Sequence, residues 1–307
     1  MIYTFPGADL PGAVWIDLCE PTEEELARVR TVTGLRIPDL NQISEIESSS
    51  RLAFENGAYY LSTPLVALRD QGHLVLTAVG FVLSARVLLT VRFASLLTFD
   101  AARDTLRAQQ VRTPEEAFLR ILELVVDRSA DKLERAGTEC DDLSGGVFRD
   151  RGRTLRSGEL RATLARVGVV ADHASRIRDA LLGLGRIASY LLESGIVGAP
   201  SVNAARMKAI RADVASLTDY EAHLSGKVQF LLDATLGFIN IEQNEIVKTL
   251  TIASVVGIPP VLVAGIYGMN FRVMPELSWP LGYPMAIALI IVSALLPLVW
   301  FKRRKWM

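Results

Sequence analysis

The sequence predicts an α/β domain with a small, largely antiparallel sheet, then long helices, then a C-terminal hairpin of two transmembrane helices. Three observations carry this. Between residues 13 and 92 lie four runs of strand character separated by turn signals, and from Thr113 onward the pattern turns helical and stays so. No charged residue occurs from Thr249 to Phe271 or from Leu277 to Phe301, and only Arg272 and Glu276 separate the two runs. Each run exceeds the ~20 apolar residues that cross a bilayer core.

Taken in order, AVWIDL at 13–18 alternates as a strand does. EPTEEELARVRTVTG then offers Thr22 as N-cap, Glu25 three residues later and Gly34 as terminator. The runs at 57–68, 73–84 and 86–92 are β-branched or alternating and are split by RDQG and SA. Thr113, with Pro114 in the first turn and Glu115 and Glu116 behind it, opens the first of three helical segments at 114–147, 156–194 and 201–267. The last has no convincing stop before Pro259; if continuous it is a rod of about 100 Å. The chain therefore divides into an α/β domain at 1–112, long helices at 113–200, and a stalk helix with the first span at 201–267. An outer loop at 268–283, a second span at 284–301 and a basic tail at 302–307 complete it.

Within the stalk and first span, Asp233, Asn240, Val247, Ser254 and Val261 recur every seven residues, as do Gly237, Asn244, Thr251, Ile258 and Gly265. The two series form one stripe of a coiled-coil-like helix. A seam that only held helices together would be rich in Leu and Ile, and a lipid-facing stripe would not carry Asn, Asp, Ser and Thr. Two readings stand: a packed face whose small residues let helices approach, or a water-contacting wall. Two spans cannot enclose a channel, so a pore needs several copies of the chain with this helix innermost.

Residues 1–30 lack a basic segment followed by an apolar one, so no secretory signal is expected and the N-terminal part stays in the cytoplasm. Lys302, Arg303, Arg304 and Lys305 after the second span place that end in the cytoplasm as well. The expectation is a multi-pass protein of the inner (plasma) membrane with both termini inside. Cys19 and Cys140 are too few and too scattered for a disulfide framework or metal site, and His73, His173 and His223 have no ligand spacing around them. A net charge of −1 gives no reason to expect nucleic acid. There is no P-loop, nucleophile elbow or redox motif, so neither an enzyme nor a bound cofactor is expected.

YGMN at 267–270, MPEL at 274–277 and GYP at 282–284, between two spans and ahead of a basic tail, resemble the CorA family of magnesium transporters. AVWIDLCEP, GFINIEQN and FKRRKWM are similar to the enterobacterial type of that family. The resemblance implies a homopentameric funnel with an αβα cytoplasmic domain and the first span innermost. It makes Gly268, Met269 and Asn270 a selectivity filter at the outer mouth, supported by Tyr267. It places Leu250 and Ile258 at a hydrophobic gate, and Asp233, Asn240, Asn244, Thr251, Ser254, Val261 and Gly265 along the pore. Many relatives carry Thr where this chain has Val261, so one hydroxyl ring is missing. The implied cargo is Mg2+, with Co2+ and Ni2+ also admitted, and a regulatory Mg2+ is implied between cytoplasmic domains. Acids such as Glu45, Glu47, Asp213 and Asp219 are available for it, and no pair stands out.

The chemistry agrees with the name. Mg2+ demands octahedral oxygen ligands and sheds water reluctantly. A neutral ring of Asn270 amide oxygens, with backbone carbonyls from Gly268, accepts hydrogen bonds from the ion's waters, so a hydrated Mg2+ can enter. Carboxylates there would hold it too long for conduction. Glu276, the only acid in the outer loop, either concentrates cations near the mouth or is a solvated loop charge. Two alternatives remain. The related zinc transporter branch has Gly-Ile-Asn at the filter, against which Met269 argues. A non-conducting, membrane-tethered oligomeric sensor would prefer an apolar stripe.

Overall fold

The computed structural model describes residues 1–7, 9–45, 51–68, 73–148, 157–195, 202–269, 274–304 and 306. It contains two compact units, Met1–Thr154 with Ala162–Leu232, and Leu155–Arg161 with Asp233–Met307.

In the first unit the four expected strands are joined by two that were not expected, β1 and β3, in a six-stranded sheet: β1 (Ile2–Phe5), β2 (Trp15–Cys19), β3 (Leu52–Glu55), β4 (Ala58–Leu68), β5 (Leu74–Ser84) and β6 (Leu88–Arg92). The spatial order is β1-β2-β6-β5-β4-β3. Only β2 and β6 run parallel, with Trp15 opposite Leu88; every other neighbour is antiparallel. The β5–β6 turn is organised by Ser84, whose hydroxyl accepts from the Val87 N–H at 3.1 Å and donates to the Val87 carbonyl at 2.9 Å.

Alternation along the strands sends side chains to two cores. Trp15, Leu61, Phe81 and Leu88 face one side, and Ile16, Leu18, Tyr60, Val82 and Leu89 face the other. The second face is covered by α1 (Glu23–Thr33), whose Val29 joins that core, and by α2 (Leu40–Ser44). Thr22 and Glu25 form a reciprocal capping box at the start of α1, and Gly34 ends it in the left-handed region at φ 67°. The first face is covered by α3 (Leu97–Ala108), α4 (Pro114–Phe148), α5 (Ser157–Glu193) and the N-terminal part of α6 (Val202–Tyr267). The layering is αβα. From α6, Met207, Ile210, Val214, Leu224, Val228 and Leu231 are buried in this core. Arg206 of α6 grips Glu123 of α4 through two hydrogen bonds of 2.8 and 2.9 Å.

A charged group sits inside the sheet. Asp17 of β2 is fully buried; it accepts from Thr90 Oγ1 at 2.7 Å, Arg92 Nη2 at 2.9 Å and Arg103 Nη2 at 2.9 Å. Trp15 Nε1 donates to Thr90 Oγ1 at 3.0 Å. This network joins β2, β6 and α3. It explains why an acid occupies the middle of an otherwise apolar strand, since a buried carboxylate survives only with its lone pairs satisfied.

The second unit contains the rest of α6 from Asp233, a 3-10 turn at Pro275–Ser278, and α7 (Gly282–Arg303). Both helices carry stretches long and apolar enough to cross a membrane. α7 has 22 residues, about 33 Å at the helical rise, which matches a hydrocarbon core of roughly 30 Å. At its end Phe301 stacks on Trp306 with centroids 5.6 Å apart, and the Arg304 guanidinium lies 5.3 Å over the Trp300 ring. Aromatic and basic groups together are what a membrane–water boundary selects.

Candidate functional site

α6 is one helix of 66 residues that passes through Pro259 and Pro260. Each proline lacks an N–H, so the carbonyls of Val255 and Val256 lose their helical partners. In a membrane such carbonyls are satisfied by neighbouring helices or by water in a cavity.

Positions on a helix advance by about 100° per residue. In the apolar half of α6, Ile252, Val256, Pro259, Pro260, Val263 and Tyr267 are half-buried and fall on one side. α7 has one matching stripe at Ala286, Ile290, Ser293, Ala294, Pro297, Leu298 and Phe301. Asn240, Asn244, Val247, Thr251, Ser254, Ile258, Val261 and Gly265 are all exposed and centre on the opposite side of α6, about 200° round. Asp233 is exposed too. Leu250 and Ile258 are 66% and 63% exposed, on the same far face as the polar stripe. The pore-lining and gate residues expected from sequence thus share one surface, turned away from the side that this unit shields, whereas Tyr267 lies on the shielded side and Gly237 is half-buried.

Thr251 has its hydroxyl proton committed to the Val247 carbonyl at 2.8 Å. What it presents outward is lone pairs only. Water around a cation points its protons outward, so an acceptor-only oxygen is the complementary partner.

The helix ends where the filter motif begins. The Gly268 N–H still donates to the Ala264 carbonyl at 2.9 Å, and the Met269 N–H reaches the Ile266 carbonyl at 3.2 Å. A Cβ at position 268 would stand 3.1 Å from the Ala264 oxygen, so Gly lets the last turn close tightly. Gly268 and Met269 are exposed and Tyr267 is half-buried. Asn270 lies outside the described residues. Beyond it, Glu276 sits in the 3-10 turn, half-buried; the Ser278 hydroxyl bonds the Pro275 carbonyl at 2.7 Å.

Sequence reasoning gave no role to Gly282. A Cβ there would lie 2.2 Å from the backbone oxygen of Glu276. The outer turn therefore rests directly on the first residue of α7, and the backbone carrying Glu276 is fixed by the absence of a side chain. Only the quoted GYP hinted at it, because the contact is between backbone atoms.

Among the described residues no group of three or more His, Cys, Asp or Glu is placed to hold a metal ion. Asp213 and Asp219 are exposed on α6, Glu45 is exposed just after α2, and Glu47 lies outside the described residues. Cys19 and Cys140 are free thiols.

A family model described as CorA-like Mg2+ transporter protein matches residues 11–303. The magnesium transport protein CorA of Yersinia pseudotuberculosis is 32% identical over 301 residues, covering 97% of this chain and 93% of that protein. The magnesium transport protein CorA of Escherichia coli (strain K12) is 32% identical over 300 residues, again 97% and 93%. The complete structure of the CorA magnesium transporter from Methanocaldococcus jannaschii superposes at a TM-score of 0.76 and 19% identity, over 95% of this chain and 91% of that one. With two apolar helices behind an αβα domain and a match that runs nearly end to end, the chain belongs to the CorA-like family of Mg2+ transporters.

Proposed function

We propose that this chain is the subunit of a channel-like importer of divalent cations, chiefly Mg2+, in which five copies set the polar face of α6 around a common axis. The observation that carries the reading is the stripe itself. Asn240, Asn244, Thr251, Ser254 and Gly265 lie on the face of α6 opposite its half-buried side, in a chain whose 32%-identical relatives are named magnesium transport proteins. Copies packed through other faces would leave these groups facing one another across water.

In this scheme Gly268, Met269 and Asn270 form the outer ring, and a hydrated ion hydrogen-bonds to the Asn270 amide oxygens before entering. Tyr267 supports the ring and Glu276 raises the local cation concentration. Asp233 stands in the cytoplasmic part of the same stripe. Leu250 and Ile258 make a band that offers no oxygen to replace the ion's water, so narrowing there stops conduction by dewetting. The membrane potential supplies the drive, ~4.6 kcal/mol per 100 mV for a divalent ion at ~2.3 per charge. Both termini lie in the cytoplasm and the 268–283 loop faces out.

The test is flux into proteoliposomes, comparing Mg2+, Co2+, Ni2+ and Zn2+ with the parent and with Asn270→Ala. Mg2+ entry that the substitution abolishes in an intact oligomer is the expected result. Zn2+ entry alone would favour the zinc branch. No flux of any ion would leave the non-conducting sensor.

A further inference from the structure

In the first unit, a cavity of about 300 Å³ is lined by the ends of β4 and β5, the loop before α3, α4 and His173 of α5. Its apolar wall includes Val66, Leu68, Leu74, Leu96 and Leu97, and its charged wall carries Arg128, Lys132 and Arg135 with Asp131 and Glu139. The three cations stand at i, i+4 and i+7 on one face of α4, a spacing at which like charges work against the helix. Glu139 is already engaged by Arg166 at 3.2 Å. Lys132 reaches inward and donates to the Val66 carbonyl at 2.8 Å. Burial, reinforced by Arg128 and Arg135 and opposed by Asp131, brings its ammonium down to about 8. Neither Arg128 nor Arg135 forms an ion pair or hydrogen bond with another described residue. The buried Nε2 of His173 also lacks a hydrogen-bond partner among the described residues.

Three cations only partly offset by Asp131 and Glu139, an orphaned imidazole nitrogen and an apolar wall make one coherent demand. We propose that this cavity binds a small organic anion, an apolar body bearing one carboxylate or phosphate, with Lys132, Arg135 and His173 holding the charge and Leu68, Leu74 and Leu96 the body. Size and lining fit the usual small-molecule site, mostly apolar with a few convergent polar groups. An inorganic anion would use the cations and leave the wall empty; a neutral apolar molecule would leave His173 Nε2 and the two guanidinium groups without an acceptor.

The experiment uses the full chain in lipid nanodiscs and follows acetylation of Lys132 by acetic anhydride, read by peptide mass spectrometry. Phenyl phosphate and benzoate are the probes; benzyl alcohol and inorganic phosphate are the controls. Saturable protection of Lys132 by one or both organic anions, and by neither control, is expected, and the stronger probe identifies the headgroup. Arg135→Gln and His173→Phe should each weaken that protection roughly tenfold, as loss of a hydrogen bond to a charged group does, with lysines elsewhere reacting as before. The proposal is overturned by absence of protection in the millimolar range, by equal protection from either control, or by protection that both variants leave unchanged.

Discussion

Replacing Asp17 by Ala tests how the first unit is held together. Asp17 is fully buried and Arg92 is 2% exposed. Without the carboxylate, Arg92 retains the Ala94 carbonyl at 3.0 Å as its hydrogen-bond acceptor, whereas Arg103 keeps Asp100 at 3.1 Å and a partly open surface. The cost therefore falls on Arg92 as an uncompensated buried charge, about 3–5 kcal/mol. Against a domain stability of roughly 5–15 kcal/mol this is severe. At about 2–4 °C per kcal/mol for a unit of this size, the unfolding midpoint should fall by roughly 6–20 °C. Near-ultraviolet circular dichroism of the solubilised chain, scanned in temperature, reads it. The combination Asp17→Leu with Arg92→Met, which removes both charges, should recover most of the loss. A midpoint within about 2 °C of the parent for Asp17→Ala, or a double variant no better than the single, would refute the reasoning.

Three further outcomes follow. Gly282→Ala, whose Cβ would meet the Glu276 oxygen at 2.2 Å, should displace the outer turn and cut Mg2+ uptake while α7 still inserts; uptake equal to the parent would show that the turn's seat is irrelevant. Leu250→Asn or Ile258→Ser should keep flux on in vesicles preloaded with millimolar-range Mg2+, whereas Leu250→Val should shut off normally; equal shut-off in all three returns both residues to packing. Burial would raise the Glu123 carboxyl, but hydrogen bonds from Arg206 and Arg120 outweigh it and hold it below its ordinary 4.5. Its contribution is thus present at neutral pH and lost as pH falls below that value. Glu123→Gln should lower stability at pH 7 by about 1 kcal/mol or less and flatten the acid side of the stability profile; an unchanged acid limb in denaturant titrations would contradict this.

Features written in local chemistry could be read from the sequence. The ends of α1 follow from Thr22, Glu25 and Gly34 because capping partners sit within one turn. The run of α6 through Pro259 follows because the surrounding residues are apolar enough for a membrane, where proline does not end a helix. What depends on distant partners was not legible. β1 and β3 are four-residue strands defined by their neighbours, and α3 begins after Leu96 with no side-chain cap. The partners of Asp17 are 73 to 86 residues away. In the candidate site the heptad stripe was visible, since it is a property of one helix. The seat of Glu276 on Gly282 was not, since it is a meeting of two backbones.

One helix closes the core of the first unit through Met207 to Leu231 and then runs on into the uncharged stretch from Thr249, in a helix long and apolar enough to cross a membrane. No loop separates the two duties. As the chain is synthesised at about 5–20 residues per second, the residue that completes this core and the residues that need lipid emerge about five turns, and so roughly a few seconds, apart. Core closure and membrane entry thus draw on the same stretch of polypeptide within seconds of each other. A fault in the core around Val228 and Leu231 would therefore reach the cell as a delay in membrane insertion, with the apolar span held in water while the domain behind it is still unfinished.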